Sequence, residues 1–360
     1  MRKMILSWLF LGVAVALGIW ATVTLSYDQN KVVMYFLLPY FALSVGMQYL
    51  WPEVPNQFEK SEVWTDILNN ASLIVVTVLQ GALVKWMADA GHALVFQHGW
   101  ISEAYSPVHL PMWGQVLVAW FAFDFMFYAT HRLSHEVDFL WRFHSIHHCA
   151  HRLSFLNASR VHPVDICWRR LLPLFAAYQT GVSADAVIVA NTIGATLAVI
   201  THMNVDFRFG PLNYVLGTNE MHRWHHSNKI EEAKNFSVIL LWDHLFGTYV
   251  NPKGRIKPDQ MGLFNELYYP RQNFWGQLLI PFTWKQWKAR QAAAAAGVTT
   301  PIWHLCEPQG PHQARPDGPV QRAVLPAPKL LGPIAHSLHL ETVEGASSSV
   351  VGDGASKLAV

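Results

Sequence analysis

Four apolar runs, each of about twenty residues, constrain this chain more than any other feature. They cover 5–24, 32–50, 69–87 and 112–130. A helix of that length crosses about 30 Å of hydrocarbon. Backbone placed in lipid must satisfy its own polar groups, so the runs are expected as transmembrane helices. A fifth apolar stretch, 171–200, is interrupted by Gly181, Ser183, Ala184 and Asp185. One straight helix there would exceed about 40 Å at the α-helical rise. The interruption instead predicts a short membrane-associated helical hairpin, one that does not cross fully. The chain is only 14% charged and carries 16 Trp, 20 Phe and 11 Tyr. Soluble domains carry about 25% charged residues, so composition points the same way. Arg2 and Lys3 precede the first run, whose length and closeness to the second favour a retained helix over a cleaved signal.

Charge asymmetry orients these helices. Arg2 and Lys3 place the N-terminus in the cytoplasm, and four crossings return the chain there at His131. The stretch that follows contains Arg132, Arg142, Arg152, Arg160, Arg169 and Arg170, whereas 86–111 has no Lys or Arg. A bacterial inner membrane is the expected location, with the polar part facing the cytoplasm. Residues 203–290 are expected to pack as a cap on the helix ends. From 291 onward the sequence turns to AAAAAG, then to many prolines, then to a Ser- and Gly-rich end, which predicts little fixed structure. Three regions follow: N-terminal transmembrane helices and loops at 1–110, a histidine-rich catalytic domain at 111–290, and a low-complexity tail at 291–360. The expected fold is an all-α integral membrane protein with four transmembrane helices, the hairpin, and a cytoplasmic histidine-rich helical cap. A net charge of +2 gives no case for nucleic acid. Cys149, Cys167 and Cys306 are too scattered for a disulfide framework or a CxxC metal pair.

The polar part is dominated by imidazole. HRLSH puts His131 and His135 four apart, on one face of a continuing helix. HSIHH puts His144, His147 and His148 at i, i+3 and i+4, on a shared face from which they are expected to converge on one small volume, and HRWHH repeats that spacing with His222, His225 and His226. A single histidine is ordinarily a satisfied polar group. A doublet and two matched triplets on one side of a membrane are better explained by metal. Neutral imidazole suits Fe, Zn, Cu and Ni. A structural zinc needs about four ligands, so eight histidines can hold two metals. Zinc would allow hydrolysis and iron would allow O2 activation, and spacing does not choose between them. A metal-binding transporter would need polar groups at matched depths on several helices. The runs 5–24, 32–50 and 69–87 have almost none.

These motifs resemble the sterol desaturase and fatty acid hydroxylase superfamily of membrane di-iron oxidases. The resemblance covers roughly 115–285 and rests on HRLSH, FLWRFHSIHH, RVHP, THMN, EMHRWHHS, WDHLFGTY and a late PF. It implies that His131, His135, His144, His147, His148, His222, His225 and His226 bind iron, with His202 as a further ligand between the second and third motifs. It implies two Fe ions per chain, O2 as co-substrate, and hydroxylation of a C–H bond in a sterol or fatty acyl type of lipid. Desaturation at the same site is the alternative. The chain shows no Rossmann glycine pattern, heme motif or fused cytochrome b5-like domain. An external ferredoxin, cytochrome b5-like protein or reductase is therefore expected to supply electrons.

Other residues carry weaker expectations. Asp124 lies inside an apolar helix, where an ionisable group is functional by default. It is expected to accept a hydrogen bond from a ligand histidine and fix its tautomer. Glu220 is expected to act similarly. His162 is weighed between a ligand and a structural partner of Pro163. His151 is expected at the outer shell or surface, and His244 outside the ligand set. Asn157 and Arg160 are expected to orient their loop, and Asn235 and Asp243 to pack the cap. Trp141, Phe143 and Trp224 are long enough to line a lipid path.

Overall fold

The computed structural model describes residues 1–55, 62–73, 75, 83, 86, 90, 106–252, 255, 257–264 and 268–296. Helix α1 (Arg2–Thr24) turns at Leu25–Asp28 into α2 (Gln29–Leu50). The Asp28 carboxylate caps α2 by accepting from the N–H groups of Asn30 at 3.0 Å and Lys31 at 3.1 Å. Helix α3 spans 62–73. Then come α4 (Met112–Glu136) and α5 (Asp138–His148). Helix α6 runs over 163–179, and α7 over Ala184–His202. The remainder is loop with short helices: α8 (Asn219–His225), α9 (Leu241–Leu245), α10 (Phe274–Leu279) and α11 (Trp284–Ala295). Among the described residues β pairing is limited to isolated bridges, such as Leu216 with Ile239.

Two helices widen into a π turn, at Val33–Leu37 in α2 and Cys167–Leu171 in α6. Pro39 and Pro173 follow closely in each case. Proline has no N–H to close the α-helical ladder, and a wider turn absorbs that loss without ending the helix.

The protein is an all-α integral membrane protein. Helices α1, α2, α4 and α7 are each long and apolar enough to cross a bilayer. The expected third span, 69–87, lies mostly outside the described residues. The hairpin expectation needs correction in its second arm. Its break falls early, at Gly181 with φ of 78°, which leaves 19 uninterrupted residues for α7. The tip is also held at the far end of α4. Ser183 N–H donates to Gln115 Oε1 at 2.9 Å, and Ser106 Oγ donates to the Gly181 carbonyl at 2.8 Å. The hairpin therefore reaches as far as the first turn of α4.

Helices α1 and α7 approach closely through small residues. A Cβ at Gly18 would meet the Phe36 ring at 3.0 Å and Thr196 Oγ1 at 3.3 Å. Thr22 and Thr192 hydroxyls meet at 3.2 Å across the same seam. Such packing replaces hydrophobic burial as the source of helix association in lipid. Lys3 pairs with Asp206, and Trp8 donates to the Phe209 carbonyl at 2.9 Å. The start of α1 thus lies beside the end of α7, at the end of the bundle that carries the histidines. Met203 and Phe209 are fully buried there. Helix α11 continues to Ala295, five residues into the segment expected to lack structure. Alanine is the best helix former, so its run extends the helix. The rest of 291–360, from 297, lies outside the described residues.

Candidate metal centre

All nine candidate histidines come together, and they divide into two groups. His131, His135, His144, His148 and His225 form one, and His147, His202, His222 and His226 form the other. Within each group the ligand atoms lie within 4.8 Å of one another. Local helix geometry explains the division. On α5, His144 and His148 are one turn apart and face the first group, while His147 is rotated toward the second. On α8 the same offset sends His225 to the first group and His222 to the second. His226 caps that helix and joins His222, with 3.0 Å between their Nε2 atoms.

The ring orientations suit metal binding. His131 Nδ1 lies 2.7 Å from the Phe236 carbonyl, and His225 Nδ1 lies 3.0 Å from the Lys234 carbonyl. A carbonyl only accepts, so each Nδ1 carries the proton and each Nε2 keeps its lone pair. His144 Nδ1 meets the Asp165 carboxylate at 3.1 Å, and His202 Nδ1 meets the Ala198 carbonyl at 3.2 Å. Metal-bound histidines characteristically donate outward in this way. Nε2 of His131, His135 and His225 is buried with no hydrogen-bond partner among the described residues. In the second group successive Nε2 atoms are 3.4 Å (His147–His202), 2.9 Å (His202–His222) and 3.0 Å (His222–His226) apart. With an imidazole–metal bond of about 2.1 Å, two ligands lie about 3.0 Å apart at a right angle and about 3.4 Å apart at a tetrahedral angle. The observed separations span that range, so these imidazoles fit a shared first-row metal.

Residues 116–248 match the family model described as fatty acid hydroxylase. Over that span the chain is similar to the fatty acid hydroxylase family. It is 34% identical over 181 residues to the ornithine lipid hydroxylase OlsE of Rhizobium tropici, covering 50% of this chain and 54% of that one. It is 25% identical over 218 residues to the alkylglycerol monooxygenase of Caenorhabditis elegans, covering 57% of this chain and 42% of that one. It is 28% identical over 150 residues to the very-long-chain aldehyde decarbonylase GL1-8 of Oryza sativa subsp. indica, covering 40% and 56%. The chain thus spans about half the length of these relatives. No solved structure matches it.

Burial sets the protonation of the imidazoles. Burial holds His147, His148, His222, His225 and His226 well below the ordinary imidazole range, with neighbouring histidines adding to the effect. Burial takes His144 to about 4, against the opposing pull of Asp165. All six are therefore neutral near pH 7, the form that binds metal. Burial would raise Asp165, but Arg169 and His144 hold it well below the usual carboxylate range. Arg169 grips it with Nε at 3.0 Å and Nη2 at 2.9 Å.

Asp124 corrects its expectation. It bonds no histidine. Its carboxylate accepts from the backbone N–H groups of Val238 at 2.9 Å and Ile239 at 3.1 Å. The side chain is one helical turn too far from His131 and meets the 236–239 loop instead. That loop supplies the Phe236 carbonyl to His131, so Asp124 acts one bond removed. Glu220 likewise bonds no histidine, and accepts from Phe209 N–H at 2.7 Å and Asn213 Nδ2 at 2.9 Å. His162 lies outside both groups. Its Nδ1 accepts from Val164 N–H at 3.1 Å and caps α6 beside Pro163. His151 pairs with Arg271. His244 also stands apart, donating to the Tyr214 carbonyl at 2.9 Å.

Asn157 forms a capping box with Ser154, and Arg160 is buried against Asp66 of α3 at 2.6 Å. Asn235, at φ of 67°, pairs through its side chain with the backbone of Val250. Asp243 accepts from Phe236 N–H at 2.9 Å, Ser237 N–H at 3.0 Å and Thr248 Oγ1 at 2.6 Å. Trp141 packs on His135 and His148 with ring centroids 5.2 and 5.5 Å apart. Phe143 packs on His162, and Trp224 is buried beneath Arg255. The partners that sequence reading missed are Asp165 and the carbonyls of Lys234, Phe236 and Ala198. The Asp165–Arg169 spacing of four was the one visible signal, since a carbonyl leaves no trace in residue identity.

Proposed function

We propose that this protein is a di-iron, O2-dependent oxygenase that hydroxylates a C–H bond of a membrane lipid, with its histidine end facing the cytoplasm. The observation that carries the reading is the pair of buried histidine groups, five and four strong, with lone pairs converging in each. His131, His135, His144, His148 and His225 would hold one iron, and His147, His202, His222 and His226 the other. Two irons there would supply oxidation of an unactivated C–H bond by O2. The overall balance is R–H plus O2, two electrons and two protons giving R–OH and water. The electrons come from an external donor, a ferredoxin, cytochrome b5-like protein or reductase.

The chain's own contribution is placement. The Asp165 carboxylate and the Phe236, Lys234 and Ala198 carbonyls keep the proton on Nδ1 and aim each Nε2 inward. Burial excludes bulk water from the reacting carbon. Two relatives are named for an ornithine lipid hydroxylase and an alkylglycerol monooxygenase, which supports a polar-headgroup lipid and hydroxylation over desaturation. The orientation rests on the Arg2 and Lys3 end of α1 lying with the histidines, as cytoplasmic basic residues would.

The test compares lipids from cells with and without the gene, grown under ¹⁸O2. The expected product is one oxygen heavier than its substrate and carries the label. A product two hydrogens lighter would replace hydroxylation by desaturation. Zinc that iron cannot displace with gain of activity would overturn the oxygenase reading.

A further inference from the structure

Gln48 lies two residues before the end of α2 and is 1% exposed. A polar side chain buried in a spanning helix is costly and calls for a function. Its Oε1 accepts from two backbone N–H groups, those of Phe155 at 2.8 Å and Asn204 at 2.9 Å. Phe155 opens the 155–159 helical turn, where the first N–H groups have no partner within the turn. Asn204 is itself buried, and a buried N–H needs an acceptor. The Nε2 of Gln48 is buried with no hydrogen-bond partner among the described residues. A buried donor left unpaired destabilises the fold. The position thus keeps a neutral acceptor at a cost in stability, so the function lies in what the oxygen holds.

It holds two of the segments that carry the second histidine group. Phe155 follows α5, which bears His147. Asn204 follows His202, the last residue of α7, by two. The Nε2 atoms of His147 and His202 are 3.4 Å apart. One carboxamide oxygen therefore ties together the segments behind a pair of histidines placed to share a metal. A third segment joins at the same point. Asn219, the first residue of α8, donates from Nδ2 to the Val205 carbonyl at 3.1 Å, and α8 bears His222. The chain just past α2 closes the clamp. Asn204 pairs through its side chain with the Val54 backbone at 3.1 and 2.9 Å, and Pro52 bridges Val205.

The rings of this group depend on that placement. Nδ1 of His147 and of His226 is buried without a partner among the described residues. Those rings are placed by the backbone that bears them.

We infer that Gln48 is a positioning residue for the second histidine group, holding the segments behind His147 and His202 at the separation a shared metal needs. The inference rests on the metal-centre reading above for what occupies the group.

Two measurements test it. The first needs no metal. In the metal-free full chain in detergent, hydrogen exchange followed by mass spectrometry should be about ten-fold faster over 153–157 and 203–206 in Gln48→Met than in wild type, the value of one hydrogen bond. The second titrates the same proteins with cobalt(II), a first-row ion that suits imidazole, and counts bound ions by native mass spectrometry. Wild type should take up two. Gln48→Met should bind the first as wild type does and the second about ten-fold more weakly, the lower end of what outer partners of metal ligands contribute. Gln48→Glu, which keeps an acceptor, should recover most of that loss. In His147→Ala, where the second group is already broken, adding Gln48→Met should change cobalt binding no further. If Gln48→Met does not fold, Gln48→Asn, one methylene shorter, decides alone. Unchanged exchange overturns the inference. So does faster exchange with both ions bound as in wild type, equal weakening of both ions, or Gln48→Glu as weak as Gln48→Met. A wild type that takes up no cobalt, while Gln48→Met still frees both segments, sinks the metal reading and leaves the clamp standing.

Discussion

The two histidine groups are built from the same helices but held differently. In the first, His131, His144 and His225 each donate Nδ1–H to a fixed acceptor, namely two backbone carbonyls and a carboxylate gripped by Arg169. In the second, among the described residues, only His202 has such an anchor. Nδ1 of His147 and of His226 is buried without a partner among the described residues. The first group also has five imidazoles against four. The difference teaches that one sequence pattern, HxxHH used twice, yields a rigid site and a looser one. Matched spacing fixes which way the rings point, and the loops around them fix how firmly.

The largest effect that would break this comparison is the order of metal loss. Titration of the iron-loaded protein with a chelator should proceed in two steps, from two metals to one and then to none. The second group should empty first, because it has fewer donors and fewer anchors. A hydrogen bond that holds the outer nitrogen of a metal-binding imidazole is worth about 10- to 100-fold in metal affinity. Metal content per chain, followed together with O2 uptake, reports the steps. His147→Ala should abolish the labile step and all turnover, and His135→Ala should weaken the tight one. Simultaneous loss of both metals at one chelator concentration would contradict the contrast.

Asp165→Asn sharpens it. The amide keeps the shape but loses the charge that holds His144 and that Arg169 grips. Metal in the first group should bind about 10- to 100-fold more weakly, with the second group unchanged. Asp124→Ala acts more gently and through stability. It leaves the Val238 and Ile239 N–H groups without their acceptor, at a cost of about 1–3 kcal/mol for each unsatisfied buried group. The Phe236 carbonyl then loses its fixed position, so some weakening at the first group should follow. A thermal melt in detergent, read beside metal content, separates the two consequences. A full loss of metal with no change in melting would restore a direct role for Asp124.

Much of this site was legible because its determinants are side chains. Helical spacing placed His144, His147 and His148 together on one face, where the structure turns His147 to the other group, and the apolar runs placed both triplets at one end of the bundle. The nine histidines that group in the structure were therefore singled out before any contact was known. The anchors escaped because three of the four are backbone carbonyls, which any residue carries. Asp124 was recognised as an ionisable group in an apolar helix, yet its partner was misjudged. Helix periodicity places a residue on its own helix, and says nothing about which loop folds over that face. The hairpin was misjudged for a related reason. Gly181 marked a break correctly, but the length left after it had to be counted from the cap at Ser183, which accepts from Ala186 N–H.

The smallest effect is also the most discriminating for the ligand assignment. His244 stacks between Tyr214 and Tyr249, with ring centroids 4.2 Å from each, and its Nε2–H donates to the Tyr214 carbonyl at 2.9 Å. It is half-buried, and its bonds tie α9 to the 210–214 turn. His244→Ala removes one partly exposed hydrogen bond, worth about 0.5–1.5 kcal/mol. Two metals should remain, both chelator steps should stay where they were, and turnover should fall by no more than the loss of folded protein explains. His244→Gln can restore a donor to the Tyr214 carbonyl and should recover stability. A His244→Ala protein that folds yet holds one metal would move this histidine into the second group. It would then supply the fifth donor that group lacks, and the contrast between a rigid and a looser site would disappear.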